Sequence, residues 1–374
     1  MKVLLISNYL PLKQKSMLRY AEMLRSELLN AGWNVTMVHP PAILGRARIA
    51  APGKPWTKWL QYIDMFLFAP FYLRWKARSV DLIHVCDHSN SMYLPCAGTK
   101  PAVITCHDLL AVRAARGDFP GVQVGATGRI YQTWILSNLV RARNIICDSG
   151  KTENDLRTLV PGLSGETRVI HIPLVLGRGA TDKKKTDQSP PGLALGTYLL
   201  HVGGSWYKNR LGVLKIFAAL RNRPRFEKVR LVMVGPSWES DLTKFSSSQG
   251  LDEHVLRLHD LSDEELQDLY TGALALLFPS WEEGFGWPIL EAQACGCPVI
   301  TSNRQPMAEI AGDAAILVDP GSPDDAAAEI LRRLEEFPDL RERGFRNVSR
   351  FALNDAIRSH MDLYDAMMKS APAA

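Results

Sequence analysis

Glu283 and Glu291 bracket the stretch of this chain best suited to chemistry, with Gly284, Phe285, Gly286, Trp287 and Pro288 between them. The preceding Ala273–Phe278 reads as an apolar strand, and Pro288 suits the first turn of a helix that would carry Glu291. Glycines in such a turn let a ligand approach the backbone, and the N–H groups at the helix start favour an anion such as a diphosphate. The two carboxylates would accept hydrogen bonds from hydroxyls, which sugars and riboses offer. Taken alone, the same residues also fit an acidic surface loop followed by a helix-surface glutamate.

A second candidate follows the run Tyr198–Val202: Gly203-Gly204-Ser205-Trp206-Tyr207-Lys208-Asn209-Arg210. Lys208 offers a point charge for a diphosphate, but the G-x-G-x-x-G spacing of a dinucleotide loop is absent. In the amino-terminal half, His107 closes another apolar run, Ser16 and Arg19 open an amphipathic stretch, and Ser149 follows Asp148 where a helix cap is expected.

These residues all sit just past short β-rich runs. In the first half the runs are Val3–Ser7, Asn34–His39, Asp81–Cys86, Ala102–His107, Asn144–Asp148 and Arg168–Ile172. In the second they are Tyr198–Val202, Val229–Gly235, Val255–His259, Ala273–Phe278, Pro298–Thr301 and Ala315–Asp319. Amphipathic stretches alternate with them, among them Ser16–Asn30, Gly128–Ala142, Leu211–Arg221, Ser262–Thr271 and Asp324–Glu336. Ser262 followed by Glu265 predicts a capping box. Strands alternating with helices imply parallel βαβ units and a doubly wound sheet in each half. Such sheets bind ligands at the carboxyl ends of their strands. The polar, aperiodic segment 178–193 reads as a linker. The predicted domains are therefore 1–177 with 352–374, whose helix Leu353–Lys369 returns to the first domain, and 194–351.

At 374 residues, 46% hydrophobic and 22% charged, the chain has the size and composition of two globular domains. No apolar run is long enough to cross a bilayer, and the first residues read as a buried strand. The six cysteines form no C-x-x-C pair and read as free core thiols of a reducing, cytoplasmic protein. The net charge of +5 is unevenly spread: residues 1–195 hold 25 Lys/Arg against 13 Asp/Glu. No nucleic-acid motif accompanies that basic half, so nucleic acid is not an expected partner. Trp56, Trp59, Tyr62, Phe66, Phe68, Phe71, Tyr72 and Trp75 are interleaved with Lys54, Lys58, Arg74, Lys76 and Arg78. They read as a pair of amphipathic helices, packed on the domain or facing an anionic membrane surface on its inner side.

The pattern E-G-F-G-x-P-x-x-E, set between an apolar strand and an A-x-x-x-G-x-P-V-I segment, resembles the donor signature of glycosyltransferase family 4. The likeness spans about fifty residues, through PMAEIAGDAAILVDPGS. It implies an α/β architecture of two Rossmann-like doubly wound domains facing each other across a cleft, the B-type glycosyltransferase fold. By the resemblance, Glu283 contacts the transferred sugar and Glu291 the nucleotide ribose, while the amides of Gly284, Phe285 and Gly286 surround sugar and diphosphate. Gly203, Gly204, Lys208, Asn209 and Arg210 are donor-binding by the same comparison, and Lys208 matches the family's diphosphate lysine. The family's preceding Arg is missing where Gly204 and Ser205 stand, leaving Arg210 as the substitute. His107 matches a cleft-facing His that touches the donor sugar; Ser16 and Arg19 fall on the acceptor side, where the family's Gly-Gly pair is replaced by Ser16-Met17.

The expected activity is retaining, metal-independent hexosyl transfer from a UDP- or GDP-linked sugar to a glycan or lipid-linked acceptor, with His107, Lys208 and Glu283 as catalytic residues. The nucleotide-sugar is a co-substrate, and no cofactor is expected. Cell-surface polysaccharide or glycolipid synthesis is the expected setting. An epimerase of the same architecture and a non-catalytic sugar-binding protein remain as alternatives.

Overall fold

Short, continuously apolar runs decide the centre of each half. Val3, Leu4, Leu5 and Ile6, like Tyr198, Leu199 and Leu200, have almost no exposed surface, which requires helices on both faces of a parallel sheet. The computed structural model describes residues 1–46, 55–174 and 193–370. It divides into two units, Met1–Ile172 with Leu353–Ala374, and Pro173–Ala352. Apart from Leu193, the segment 178–193 read as a linker lies outside the described residues.

The first unit has strands β1 (Lys2–Ile6), β2 (Asn34–Val38), β3 (Leu82–Val85), β4 (Ala102–Cys106), β5 (Asn144–Cys147) and β6 (Glu166–Val169), all parallel in the order β2-β1-β3-β4-β5-β6. Its helices are α1 (Lys15–Asn30), α2 (Pro55–Ile63), α3 (Ala69–Ala77), α4 (Leu110–Arg116), α5 (Ala126–Leu139) and α6 (Gly150–Leu159). The second unit has β7 (Tyr198–Val202), β8 (Arg230–Val234), β9 (Val255–Leu258), β10 (Ala275–Phe278), β11 (Val299–Ser302) and β12 (Ala315–Val318), parallel in the order β12-β11-β10-β7-β8-β9. Around it lie α7 (Arg210–Arg221), α8 (Ser240–Ser248), α9 (Asp263–Gly272), α10 (Trp287–Ala294), α11 (Met307–Ala311), α12 (Pro323–Arg332) and α13 (Phe337–Val348). The last helix, α14 (Leu353–Ser370), belongs to the first unit.

Every strand expected from the sequence is present. The largest displacement is at β6, expected at Arg168–Ile172 and found at Glu166–Val169. It is an edge strand with alternating exposure, and its pairing of Glu166 with Asn144 sets the register. The buried Ile170 and Ile172 lie past the ladder. The capping box of α9 forms, Ser262 accepting from the Glu265 amide while Glu265 accepts from that of Ser262. All six cysteines are free, and burial pushes the Cys86, Cys106, Cys147 and Cys297 thiols up, so they stay protonated.

The expected pair of aromatic helices is almost one helix, because a π-helical turn at Asp64–Phe68 joins α2 to α3. Pro70 explains the turn. It has no N–H to offer the preceding turn, and the Met65 carbonyl left over accepts instead from Tyr93 Oη at 3.0 Å. Asp64 at the turn is fully buried and accepts from Tyr9 Oη (2.6 Å) and from the amides of Ile43, Leu44 and Gly45 (3.0, 3.0 and 2.8 Å). Gly45 has to be glycine, since a Cβ there would lie 1.8 Å from the Tyr9 hydroxyl.

α14 is held to the first unit by a buried polar chain as well as by its apolar face. His84 on β3 bonds Tyr364 Oη through Nδ1 (2.6 Å) and Thr105 Oγ1 through Nε2 (2.7 Å). Tyr20 on α1 joins Thr105 (3.0 Å) to His360 Nε2 (3.1 Å). Removing one member leaves a buried group without its partner. Tyr364→Phe is expected to lower the stability of this unit by about 1–3 kcal/mol, read by urea unfolding of the variant beside the wild type.

Candidate functional site

Strand order reverses once in the second unit. β8 and β9 run outward on one side of β7, while β10 returns to the other side and is followed by β11 and β12. The loops leaving β7 and β10 diverge at that switch point and open the space where parallel sheets take ligands. They contain the two segments singled out from the sequence. A backbone bond from Trp281 N to Tyr207 O at 2.8 Å ties them together.

Lys208 Nζ and Glu283 Oε1 meet across the switch point at 2.8 Å, their side chains 12% and 6% exposed. The ammonium also lies 4.5 Å from the centre of the Phe278 ring. Gly203, at φ 118°, makes room for the lysine stem: a Cβ would come 2.8 Å from Lys208 Cε. Gly204 is packed on Pro236, whose Cδ would lie 2.0 Å from an added Cβ. In this structure both glycines are required by the loop's own packing.

Asn209 and Arg210 each make bonds to the loops around them. Asn209 adopts a left-handed conformation before α7; its Oδ1 accepts from the Gly212 amide, and its Nδ2 donates to Pro279 O (2.9 Å) and Pro320 O (3.2 Å). Its amide is thereby committed to tying the loops after β7, β10 and β12 together. Arg210 is buried and donates from Nη2 to Pro236 O at 3.0 Å, on the β8 side of β7, whereas Lys208 bonds on the β10 side.

Gly286, at φ 107°, precedes α10, with Pro288 in the first turn. Phe285 is buried and meets Phe351 edge-on at 6.0 Å, which fixes the turn. Gly284 is half-buried between Glu283 and this anchor. Glu291 lies in the second turn of α10, and its Oε2 accepts from Tyr270 Oη at 3.1 Å. Burial, reinforced by Glu291, pushes the Tyr270 hydroxyl well up and keeps it a donor. Glu283 and Glu291 thus flank the start of α10, where its N–H groups favour negative charge.

The first unit repeats the arrangement. Its order reverses between β1 and β3, and Asn8 Nδ2 donates across that point to Asp87 Oδ2 at 2.5 Å. Asn8 also bonds Gln14 Oε1 (2.6 Å) just before α1, in whose first turns stand the exposed Ser16 and the half-buried Arg19. Asp87 and Gln14 were not singled out from the sequence, although Asp87 lies just past a strand end, the signal that marked Asp148.

His107 is 3% exposed, and both its ring nitrogens bond within its own unit. Nδ1 donates to Asp148 Oδ2 (2.6 Å) and Nε2 to Cys86 O (2.8 Å). With an acceptor at each nitrogen, the ring carries both protons. Burial alone would lower its pKa, but Asp148 and Asp87 outweigh it and raise the pKa to about 9. In this structure His107 forms a buried ion pair with Asp148 between the ends of β4 and β5. Ser149 caps α6 by accepting from the Thr152 amide, as its position suggested.

The family described as "Glycosyl transferases group 1" matches residues 198–348, and "Glycosyltransferase Family 4" matches residues 17–174. The chain belongs to glycosyltransferase family 4. It is 36% identical over 146 residues to O-antigen chain mannosyltransferase B of Escherichia coli, covering 38% of this chain and 38% of that protein. It is 32% identical over 160 residues to O-antigen chain mannosyltransferase RfbU of Salmonella typhimurium, covering 41% and 43%. The matches thus span less than half the length of these relatives. A sucrose-phosphate synthase from Thermosynechococcus elongatus superposes with a TM-score of 0.72 at 19% identity over 99% of this chain and 100% of the other. An α,α-trehalose 6-phosphate synthase from Burkholderia multivorans gives 0.69 at 12% identity, over 99% and 98%. These likenesses show the fold, two parallel Rossmann-like units of the B-type glycosyltransferase kind.

The buried histidines of the first unit predict a stability maximum near pH 6.5. Burial holds His84 well below its usual pKa and lowers His360 to about 4. The unfolded chain therefore binds more protons as pH falls from about 6.5 towards 4, and stability drops there. His107, raised to about 9, stabilises fully below about 6.5, and that contribution is lost as pH rises through 9. Amide exchange of this unit across pH is expected to show both slopes, and Asp148→Asn to remove the alkaline one.

Proposed function

We propose that the chain is a retaining, metal-independent glycosyltransferase that moves a hexose from a UDP- or GDP-linked donor to a glycan or lipid-linked acceptor. The observation that carries this reading is the Lys208–Glu283 pair at the switch point, beside the start of the helix that bears Glu291. A cation, two hydroxyl-accepting carboxylates and a helix N-terminus are the groups a sugar diphosphate requires. The names of the relatives favour mannose as the hexose and a cell-surface polysaccharide as the product. The reading places the protein in the cytoplasm, at the inner face of the membrane carrying the acceptor.

In this reading the diphosphate draws Lys208 away from Glu283, which frees the carboxylate for the sugar hydroxyls. Glu291 takes the ribose hydroxyls. The bond from the anomeric carbon to the diphosphate oxygen breaks while the acceptor oxygen bonds to the same face. The acceptor proton passes to the leaving diphosphate oxygen. Lys208 and the α10 amides stabilise the negative charge that develops on that oxygen. Ser16 and Arg19 are assigned to the acceptor, and His107 supports the first unit's strand ends from within.

Lys208→Ala is expected to lower kcat about 10²–10³-fold, and turnover at the wild-type rate would remove Lys208 from the mechanism. Glu291→Ala should weaken nucleotide-sugar binding about tenfold or more by calorimetry; unchanged affinity for GDP-mannose and the UDP-hexoses would refute the assigned site. Incubating the donor without acceptor and analysing the sugar tests the epimerase alternative, which alone predicts an epimerised donor.

A further inference from the structure

The helix running from α2 through the π turn to α3 is apolar on two opposite faces. Its inner face is buried in the first unit through Met65, Ala69, Leu73 and Ala77. The outer face carries Trp56, Trp59, Ile63, Leu67, Phe71 and Trp75, spaced by three or four residues, so they form one stripe. They are among the most exposed apolar side chains described: Trp59 is 61%, Phe71 73% and Trp75 59% exposed. α5 extends the patch. Phe66 meets Trp134 at 5.1 Å and Tyr131 at 6.0 Å, and α5 turns Ile130, 71% exposed, and Trp134 outward.

A surface helix ordinarily turns its polar face to water, and a contiguous exposed apolar patch marks an interaction surface. The charges say what covers it. The exposed ionic residues along the stripe are Lys58, Arg74 and Arg78, with half-buried Lys76; the single acid between residues 55 and 80, Asp64, is buried and fully bonded inward. α5 contains no acid at all. Lys76 Nζ sits 4.7 Å from the Trp75 ring and Lys58 Nζ 5.7 Å from that of Tyr62, which keeps the cations level with the aromatics. A protein partner would be expected to meet neutral as well as charged groups, whereas rings flanked only by cations match the interface of an anionic bilayer.

We infer that this face is a monotopic membrane-docking surface: the α2–α3 helix lies in the plane of an anionic bilayer with its tryptophans and Phe71 in the headgroup layer. Asp64 is the bolt. By holding Tyr9 and the amides of residues 43–45, it fixes the helix's rotation so that the aromatic stripe faces outward. No helix among the described residues is long and apolar enough to cross a membrane, so this surface provides attachment without insertion.

The test is flotation of the full chain with vesicles of phosphatidylcholine, alone or mixed with phosphatidylglycerol. It needs neither donor nor acceptor, so its outcome is separate from that of the transferase reading. The wild type is expected to float with mixed vesicles and to bind neutral ones weakly. The variant Trp59→Ser/Phe71→Ser/Trp75→Ser, whose changes are all exposed, should keep its melting temperature and lose about tenfold or more of its partitioning into both. Lys58→Glu/Arg74→Glu/Arg78→Glu should lose about 100-fold for mixed vesicles only. The inference is overturned if the wild type fails to float with mixed vesicles or if the aromatic variant floats equally well. It is also overturned if sedimentation shows a dimer that the aromatic substitutions abolish, since the face would then belong to a second copy.

Discussion

Two sheets of parallel strands, covered on both faces, impose one constraint on everything polar in this chain: it has to sit where the strands end. The central strands have no exposed side chains to spare for a ligand, and their hydrogen bonds are spent on one another. Where the strand order reverses, two loops part and leave backbone and side chains facing solvent. Side chains bridge both reversals, among them Asn8 to Asp87 in the first unit and Lys208 to Glu283 in the second. The second couples a cation to an acid at the switch point.

Such a pair is not explained by stability. Taking an ammonium and a carboxylate largely out of water costs about as much as their attraction returns, and apolar residues of similar volume would do as well. The surrounding loops are held by neutral groups instead. Asn209 ties three loops with one amide, the Tyr207–Trp281 backbone bond joins two of them, and Ser302 Oγ donates to Ser280 O. That uncharged frame holds the loops by bonds that do not involve the Lys208–Glu283 pair. His107 with Asp148 is the contrasting case, a buried charged pair that braces the ends of β4 and β5.

Strain between local preference and burial is greatest along the α2–α3 helix. Pro70 would break an ordinary helix, and the π turn with Tyr93 absorbs it. The outer aromatic stripe breaks the rule that a surface helix shows water its polar face. Natural sequences depart from such rules mainly at functional sites, and the buried carboxylate of Asp64 holds the departure in place.

The sequence by itself determined the twelve strands among the described residues, the α/β class and the two segments that meet at the second unit's switch point. Buried parallel strands need unbroken apolar runs, and a helix start needs its proline and glycines, so both are written locally. The edge strand β6 was the least legible, because its alternating exposure leaves register to the neighbouring strand. Tertiary structure alone decided which polar groups meet. Lys208 and Glu283 are 75 residues apart, His84 and Tyr364 are 280 apart, and no local pattern announces either contact. It also decided which bonds Asn209, Arg210 and His107 make, because a side chain's partners depend on which acceptors the fold brings to it. The aromatic stripe was visible as composition, but only the packing of Asp64 and the inner face showed which rings are left to the solvent.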